Sequence, residues 1–382
     1  MKPEEFVNPA AGRVVRTPQG YHAFVPAPLP PRLEWDTSMV ALLSRADAAL
    51  SELSGVARLL PNPHLLIAPY VRREAVLSSR IEGTKASLSD LMIDELGEQS
   101  GAPPLADDVQ EVRNYVAALE FGLERLKTLP LSLRLVCELH ERLMKGVRGD
   151  RAQPGRFRAS QNWIGPIGST IASASYVPPP VIEMNAALDK WERFLHEREH
   201  LPVLVQCALM HEHFEAIHPF LDGNGRVGRL LITLFLVERG RLSQPLLYLS
   251  SYIEARRQDY YGLLQRVRTH GDWDAWIRYF LAGVESVSRE AVAQAAKLLE
   301  LREKLRSDLR TKPRVIPLID ELFQNPYVTV SRAQGLLGVS NPTARSHVNL
   351  LLKRGILEEV GARSWGKLYV AWPILDVLRE GD

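Results

Sequence analysis

The chain has 382 residues, of which 46% are hydrophobic and 24% charged, and its formal net charge is +2. This composition is typical of a soluble globular protein that is long enough for two or three domains. The near-neutral charge provides no overall attraction to nucleic acid or to an anionic membrane surface. Because no apolar run reaches the roughly 18 residues of a membrane span and no secretion signal is recognisable, we expect a cytoplasmic protein without membrane contact.

The first 36 residues contain the proline-rich stretch VPAPLPPRLEW, which predicts an extended arm rather than a helix. From Thr37 the apolar residues recur at helical spacing, and MVALLSRADAALSELSGVARLL predicts a helix that PNP ends. The run PYVRREAVLSSRIEG predicts a second helix that begins at Pro69 and ends at Gly83.

Two more helices are predicted by DVQEVRNYVAALEFGLERL and LSLRLVCELHERLM. Residues 155–180 are rich in Gly, Ser and Pro and predict a loop or a short hairpin, after which helical spacing returns. The two cysteines, Cys137 and Cys207, lie in apolar helical runs, so we expect buried thiols rather than a disulfide.

Beyond Thr311 the pattern changes to three short helices followed by EEVGARSWGKLYVAW, which predicts two strands around a glycine-bearing turn. Three helices and a hairpin are the pattern of a winged helix-turn-helix. The third helix, NPTARSHVNLLLKRG, would then be the recognition helix of a DNA-binding unit. Its polar candidates are Asn341, Thr343, Arg345, Ser346 and Asn349.

The stretch HPFLDGNGRVGR, residues 218–229, combines groups suited to phosphate chemistry. Pro219 biases His218 away from helical geometry, so this histidine should be displayed at a helix end, where a neutral imidazole can act as a base. Asp222 is a hard oxygen ligand of the kind that Mg²⁺ shares with phosphates. The order therefore indicates a base followed by a metal ligand.

The second half of the same stretch predicts an anion site. Gly223 and Gly225 allow the backbone amides that open the next helix to approach a phosphate. Arg226 and Arg229 are three residues apart, which places them on one face of that helix as a phosphate clamp. Together the residues indicate attack on a nucleotide phosphate.

These residues match the whole Fic signature HPFx(D/E)GNGRxxR, and the chain resembles the Fic family on that basis. The resemblance implies a mainly α-helical Fic-fold bundle with a β-hairpin flap, and an enzyme that transfers AMP from ATP to Ser, Thr or Tyr hydroxyls of proteins. It implies that His218 is the general base, that Asp222 holds Mg²⁺, and that Arg226 and Arg229 bind the β- and γ-phosphates. It also implies that Asn224 contacts phosphate and that Phe220 anchors the loop. The whole stretch Gly223, Asn224, Gly225, Arg226, Val227, Gly228 and Arg229 is thereby expected at the nucleotide.

Two further segments resemble parts of that family. NWIG and SASYVPPP resemble the flap that docks a target segment by strand-like pairing, which implies docking at Ser173, Ala174, Ser175 and Tyr176. SYIEARRQDYYGLLQ resembles the segment whose tyrosines flank adenine, with Tyr261 the first choice and Tyr260 the second.

SSRIEG contains Ser78, Glu82 and Gly83 and matches the inhibitory motif (S/T)xxxE(G/N) of the same family, N-terminal to the signature. A carboxylate can pair with an arginine that would otherwise bind phosphate. We therefore expect Glu82 to neutralise Arg229 and to hold the enzyme inactive. In some members of the family the same glutamate supports AMP removal, and the sequence leaves both directions open.

Three alternatives remain beside AMP transfer. HEHFEAIH places His211, Glu215 and His218 on one helical face, but HExxH fails because residue 215 is Glu, so a zinc site is disfavoured. UMP or phosphocholine transfer is compatible with the signature. A DNA-binding regulator is compatible with the winged helix, although residues 311–382 carry only nine Lys/Arg against seven Asp/Glu.

The sequence thus predicts an N-terminal arm (1–36), a helical region with the inhibitory helix (37–130), a Fic catalytic domain (131–310) and a winged helix-turn-helix (311–382). The expected partners are ATP with Mg²⁺ and a protein target. Self-modification is a further expectation, because the chain has many hydroxyls of its own, and the resemblance to the family implies a homodimer.

Overall fold

A computed structural model describes residues 1–59, 64–97, 103–147, 153–166, 168–361 and 366–380. The described chain is mainly helical, as the sequence predicts. Its first residues form an antiparallel hairpin of β1 (Gly12–Arg16) and β2 (His22–Pro26). The amide of Phe24 donates to the carbonyl of Val177 (2.9 Å), so the hairpin is tied to the loop at residues 155–180.

Five helices follow in the N-terminal half: α1 (Thr37–Leu59), α2 (His64–Ile81), α3 (Leu88–Asp94), α4 (Pro103–Arg125) and α5 (Leu133–Leu143). Ser87 and Asp90 form a capping box at the start of α3, and the Ser132 hydroxyl accepts from the Leu135 amide at the start of α5. The predicted start of α2 at Pro69 is wrong, because Pro69 lies inside the helix. Proline cannot donate the amide hydrogen bond of its position, and the helix continues through it while packed against α4.

The central helices are α6 (Val181–Leu195), α7 (Val203–Ile217), α8 (Asn224–Glu238), α9 (Ser250–Ala255), α10 (Arg257–His270) and α11 (Trp273–Asp308). Every residue of α7 from Leu204 to Ile217 is buried, so α7 is the centre of the bundle. It packs against α6, α8, α10 and α11. A helix that is buried on all sides holds its end firmly, and the end of α7 leads directly into the predicted site.

The C-terminal region contains α12 (Ile316–Gln324), β3 (Tyr327–Thr329), α13 (Val330–Leu337), α14 (Asn341–Lys353), β4 (Glu358–Val360), β5 (Leu368–Val370) and α15 (Trp372–Arg379). The three predicted helices and the two predicted strands are present, with β5 antiparallel between β3 and β4. The turn predicted between β4 and β5 includes residues 362–365, which lie outside the described residues. On α14 the side chains of Arg345, Ser346 and Asn349 are exposed.

One continuous group of buried apolar side chains runs from Met39 of α1 to Leu378 of α15, so the C-terminal elements share a core with the rest. Cys207 is buried and Cys137 half-buried, and both are free thiols. Among the described helices none has the length and apolarity that a bilayer span requires.

Asn325, at the end of α12, joins the C-terminal elements to the N-terminal half. Its amide Nδ2 donates to the carbonyl of Met92 in α3 (2.8 Å), and its Oδ1 accepts from the Tyr327 amide (3.0 Å), both in buried surroundings. We expect Asn325→Ala to lower the free energy of unfolding by about 2–3 kcal/mol, because both partners lose a buried hydrogen bond. Urea unfolding would measure this, with the exposed Asn349→Ala as the control. A change no larger than that of the control would contradict the expectation.

Candidate active site

The signature stretch forms a tight turn between α7 and α8. His218 ends α7 in the left-handed region (φ 48°, ψ 61°), a conformation that a non-glycine residue adopts only when its surroundings enforce it. Gly223, also left-handed (φ 77°), is the N-cap residue immediately before α8. The turn therefore places His218 at the end of α7, a few residues before the first turn of α8.

Side chains from a distant loop hold this turn in place. Arg158 Nε donates to the His218 carbonyl (3.1 Å), and Asn162 Nδ2 donates to the Phe220 carbonyl (2.7 Å). Asn224 bonds at both ends of its amide to the backbone of Phe220 (2.8 and 2.9 Å). The side chain of Asn224, expected at a phosphate, thus fixes the loop in this structure.

His140 of α5 supports the turn from the other side. Its ring is stacked on Phe220 with centroids 3.7 Å apart. Its Nδ1 accepts from the Gly155 amide (2.9 Å), so Nε2 carries the proton and donates to the Asp222 carbonyl (3.0 Å). Burial lowers the pKa of His140 to about 4, which keeps the ring neutral. Nothing in ELHERL identifies this histidine, because its role depends on contacts with distant residues.

Glu82 and Ser78, at the end of α2, meet Arg229 of α8. Arg229 Nη2 donates to Glu82 Oε1 (2.7 Å) and to the Ser78 carbonyl (2.9 Å), and Nε donates to the Ser78 hydroxyl (2.9 Å). The Arg229 side chain is 1% exposed and that of Glu82 35%. Burial alone would raise the pKa of Glu82, but the Arg229 charge holds it below its ordinary value. Gly83 follows with φ 100° and ends the helix there.

The same carboxylate also covers the start of α8. A Cβ placed on Gly225 would collide with Glu82 Oε1, so the Glu82 carboxylate lies directly against the first turn of this helix. The first turn of a helix carries free amides and a partial positive charge. Glu82 therefore occupies the position in which a phosphate group would be stabilised.

Arg226 bonds to a different element from Arg229. Its guanidinium is buried against α4, where Nη1 contacts Glu111 Oε2 (3.3 Å), and Glu111 also accepts from the Thr84 hydroxyl (2.8 Å). Glu111 thereby links the start of α8 to the residue that follows the SSRIEG motif. Sequence reasoning missed Glu111 and Thr84, since neither stands in a recognisable motif.

A cavity of about 1010 Å³ opens above these residues. Its floor is formed by Glu82, His218, Asp222, Gly225 and Arg229. Around them stand Trp163 with the flap residues Ser173, Ala174, Ser175 and Tyr176, then Arg257, Tyr260, Tyr261 and Arg268, and finally Met1, Lys2 and Glu5. Five of the residues expected at the nucleotide do not line this cavity in the described structure: Gly223, Asn224, Arg226, Val227 and Gly228. Val227 is in the core, and Gly228 packs against Glu215 and His211.

The flap and the tyrosines both line the cavity. Ile164 and Tyr176 exchange two backbone hydrogen bonds (2.8 and 3.0 Å), and the Tyr176 hydroxyl donates to the Ala216 carbonyl (2.7 Å), which anchors the flap on the end of α7. Tyr261 is 43% exposed at the cavity wall, whereas Tyr260 is buried with its hydroxyl on His211 Nε2 (2.9 Å). Tyr261 is therefore the tyrosine that a ligand could reach.

Both ring nitrogens of His211 form hydrogen bonds inside the core, since Nδ1 donates to the Gly228 carbonyl (3.0 Å) and Nε2 accepts from Tyr260.

The described residues contain no group of three or more His, Cys, Asp or Glu side chains that could hold a metal by themselves. Asp222 lines the cavity, and its Oδ1 accepts from the Gly223 amide (2.6 Å). A single carboxylate beside a phosphate site fits Mg²⁺, which is commonly held by one or two carboxylates together with substrate phosphates and water.

Charges on several elements converge on His218. Burial, together with Arg268 and Arg158, lowers the pKa of His218 to about 3, so the imidazole is neutral near pH 7. Burial raises the pKa of Glu215, one turn earlier on α7, to about 7. Burial alone would lower the pKa of the Arg229 guanidinium, but Glu82 holds it above its ordinary value. A neutral base and a buried cation thus lie at one end of the cavity.

Comparison with known proteins matches both the N-terminal helices and the helices that carry the signature stretch to one family. The model for the Fic/DOC family N-terminal region matches residues 40–124, and the model for the Fic/DOC family matches residues 130–236. A probable protein adenylyltransferase of Aquifex aeolicus is 27% identical over 311 residues, covering 81% of this chain and 87% of that protein. The protein adenylyltransferase Fic of Drosophila erecta is 27% identical over 177 residues. The matched segment is 45% of this chain and 32% of that protein.

Solved structures agree on the fold. A crystal structure of a Fic family protein from Desulfovibrio desulfuricans matches with a TM-score of 0.59 at 23% identity, over 90% of this chain and 98% of that one. Residues 134–508 of Fic-1 from C. elegans match with a TM-score of 0.50 at 21% identity, over 69% of this chain and 73% of that one.

The Glu82–Arg229 pair predicts a pH-dependent stability. Because the pKa of Glu82 is held below its ordinary value of 4.5, the ion pair stabilises the fold above that pH and is lost as the pH falls through the lowered pKa. We expect Glu82→Gln to lower stability by about 1 kcal/mol near neutral pH, a value limited by the partial exposure of Glu82.

The measurement is the difference in melting temperature between Glu82→Gln and the unchanged chain from pH 7 downward. The difference should shrink as the pH falls below 4.5. Glu124→Gln, which removes an exposed ion pair with Lys127, is the control and should have little effect at any pH. A pH-independent difference for Glu82→Gln would contradict the ion-pair explanation.

Proposed function

The chain belongs to the Fic family of nucleotidyl-transferring enzymes, and from this we propose that it transfers AMP from ATP to a hydroxyl of a target protein, with His218 as the general base. In this reaction the target hydroxyl gives its proton to His218 while its oxygen bonds to the α-phosphorus of ATP. The bond from that phosphorus to the bridging oxygen of pyrophosphate breaks. AMP remains on the target, and pyrophosphate leaves.

The observation that carries this proposal is the position of Glu82. The Glu82 carboxylate bonds to the buried Arg229 and lies against the first turn of α8. It lines the same cavity as His218 and Asp222. A site that accepts a carboxylate in this way has the donors and the positive charge that a phosphate requires. The γ-phosphate of ATP is therefore the group we place at Arg229.

Other residues take supporting roles in the proposal. Asp222 would hold Mg²⁺ together with phosphate oxygens, and the ion would neutralise phosphate charge during transfer. Tyr261 would contact the adenine, and the flap at residues 173–176 would pair with the target segment. Arg226 would reach the β-phosphate only by leaving Glu111, so Arg229 and the α8 amides are the phosphate ligands that the geometry favours.

We further propose that Glu82 inhibits the enzyme. In the arrangement described above, Nε and Nη2 of Arg229 donate to Ser78 and Glu82, so a γ-phosphate must displace Glu82 before ATP can bind productively. Removal of the Glu82 side chain should therefore raise activity. AMP removal by the same site is the second candidate, because a carboxylate held in the cavity could also position water.

In this proposal the C-terminal elements support α2 and α3. Tyr327 donates its hydroxyl proton to Ser89 (2.9 Å), and α12 packs on α2, the helix that carries Glu82. The winged helix remains a prediction, as does DNA binding by α14.

We expect α-labelled ATP with Mg²⁺ to label protein, more strongly with Glu82→Gly than with the unchanged chain. We call the contact between Glu82 and Arg229 the latch. The increase in labelling should be roughly tenfold if the latch contributes about 1.4 kcal/mol. The labelling activity of the double variant Glu82→Gly/His218→Ala should be about 10²- to 10⁴-fold lower than that of Glu82→Gly, as expected when a general base is removed.

γ-Labelled ATP serves as the parallel control, because label from that position would indicate phosphorylation instead. Label on the chain itself would identify self-modification. Without α-label in any variant, a preparation labelled by another adenylyltransferase would be tested for release of AMP. If the unchanged chain releases AMP and Glu82→Gly does not, the result would support AMP removal instead of addition.

A further inference from the structure

Glu215 is a buried carboxylate whose position the proposed mechanism does not yet explain. It lies on α7 one turn before His218 and lines the cavity, although the residue is only 6% exposed. Its Oε2 is 4.0 Å from His218 Nδ1. Its Oε1 is buried and has no hydrogen-bond partner among the described residues. The backbone of Glu215 also acts to raise the pKa of His218, although Nδ1 makes no hydrogen bond of good geometry to a described residue.

The neighbouring carboxylate on α7 differs. Glu212, three residues earlier, is also buried, but its Oε1 contacts the guanidinium of Arg268 (3.4 Å). An ion pair therefore accounts for the burial of Glu212. Burying a carboxylate oxygen without a partner costs stability, and such groups are concentrated at functional sites. Glu215 differs from Glu212 in that its Oε2 lies 4.0 Å from the His218 ring, while Arg229 and Arg268 act on its carboxyl through their charge.

The second glycine of GRVGR provides the space for this carboxylate. A Cβ on Gly228 would lie 2.5 Å from Glu215 Oε1 and 3.3 Å from the His211 ring. Gly228 lies in the second turn of α8, where glycine otherwise weakens a helix by about 1 kcal/mol relative to alanine. The glycine in the signature stretch therefore lets Glu215 stand between α7 and α8, next to His218.

The charges that face His218 leave one carboxylate in place when a nucleotide enters. Arg158, from the loop before the flap, and Arg268 of α10 both oppose a positive charge on the ring, while Glu82 of α2 favours it. Arg229 of α8 binds Glu82, and in the proposed function ATP displaces that glutamate. Glu215 then remains as the acidic group beside the base.

We propose that Glu215 is a positioning residue for the transfer reaction and that its carboxylate, facing His218 Nδ1, orients the imidazole and offsets the positive charge that forms on it. This rests on the proposed function, in which His218 takes the proton of the target hydroxyl. That proton goes to Nε2 as the oxygen–phosphorus bond forms and pyrophosphate leaves, and His218 then returns it to solvent. Glu215 itself is unchanged at the end of the cycle.

The test compares Glu215→Gln with its parent in a Glu82→Gly background, using α-labelled ATP, Mg²⁺ and this chain or a protein substrate. We expect kcat to fall roughly 10- to 100-fold, within the range that a supported general base contributes. The KM for ATP should stay within about twofold, because Glu215 is assigned no contact with the nucleotide. The melting temperature should be unchanged or higher, because a buried carboxyl group without a hydrogen-bond partner at Oε1 is replaced by a neutral amide.

Glu238→Gln is the matched control. Glu238 also has a buried carboxylate oxygen without a partner in the described part of the chain, but it lies at the far end of α8. It should leave kcat within about twofold of the parent. Adding Glu215→Gln to His218→Ala should cause no further loss, because Glu215 acts through His218.

Three results would overturn the inference: a kcat within twofold of the parent, an effect that adds fully to that of His218→Ala, or a variant that melts well below the parent or fails to fold. The last would indicate a structural role. If His218→Ala itself retains transfer activity, the proposed function fails. If His218→Ala abolishes transfer but Glu215→Gln does not affect it, only the inference about Glu215 fails.

Discussion

A guanidinium that is withdrawn from water must be satisfied by nearby anions and acceptors, and Arg229 sets this condition for the centre of the molecule. It is held by the backbone and hydroxyl of Ser78 and by the carboxylate of Glu82. The cost of burying one partner without the other is high, so α2 and α8 are held together as long as no other anion is available. A phosphate meets the same requirement, and this explains how one arginine can serve both an inhibited arrangement and nucleotide binding.

The turn between α7 and α8 is held by side-chain hydrogen bonds to its backbone carbonyls rather than by ion pairs. Arg158 and Asn162 reach it from the flap side, and His140 reaches it from α5, each bonding to backbone carbonyls. These contacts hold His218 in a left-handed conformation that its own sequence does not favour. A base held in this way needs little reorganisation during the reaction, which is the advantage that a rigid site gives to catalysis.

The C-terminal elements contact the same N-terminal helices that the latch uses. Asn325 and Tyr327 bond to residues of α3, and α12 packs on α2. The shared core makes the end of α2 part of a larger packed unit rather than a separate arm. The stability of the latch is thus set partly by contacts far from the cavity.

The sequence by itself determined the helical class, the turn at residues 218–229 and the meeting of Glu82 with Arg229, because these follow from local patterns and from motifs that match one family. It did not determine where α2 begins, since packing allowed the helix to continue through Pro69. Nor did it reveal that Asn224 bonds to Phe220, that Arg226 turns to Glu111, or that Gly228 leaves space for Glu215. Those arrangements depend on which distant side chains meet when the helices pack, and spacing along a single helix carries no information about such neighbours.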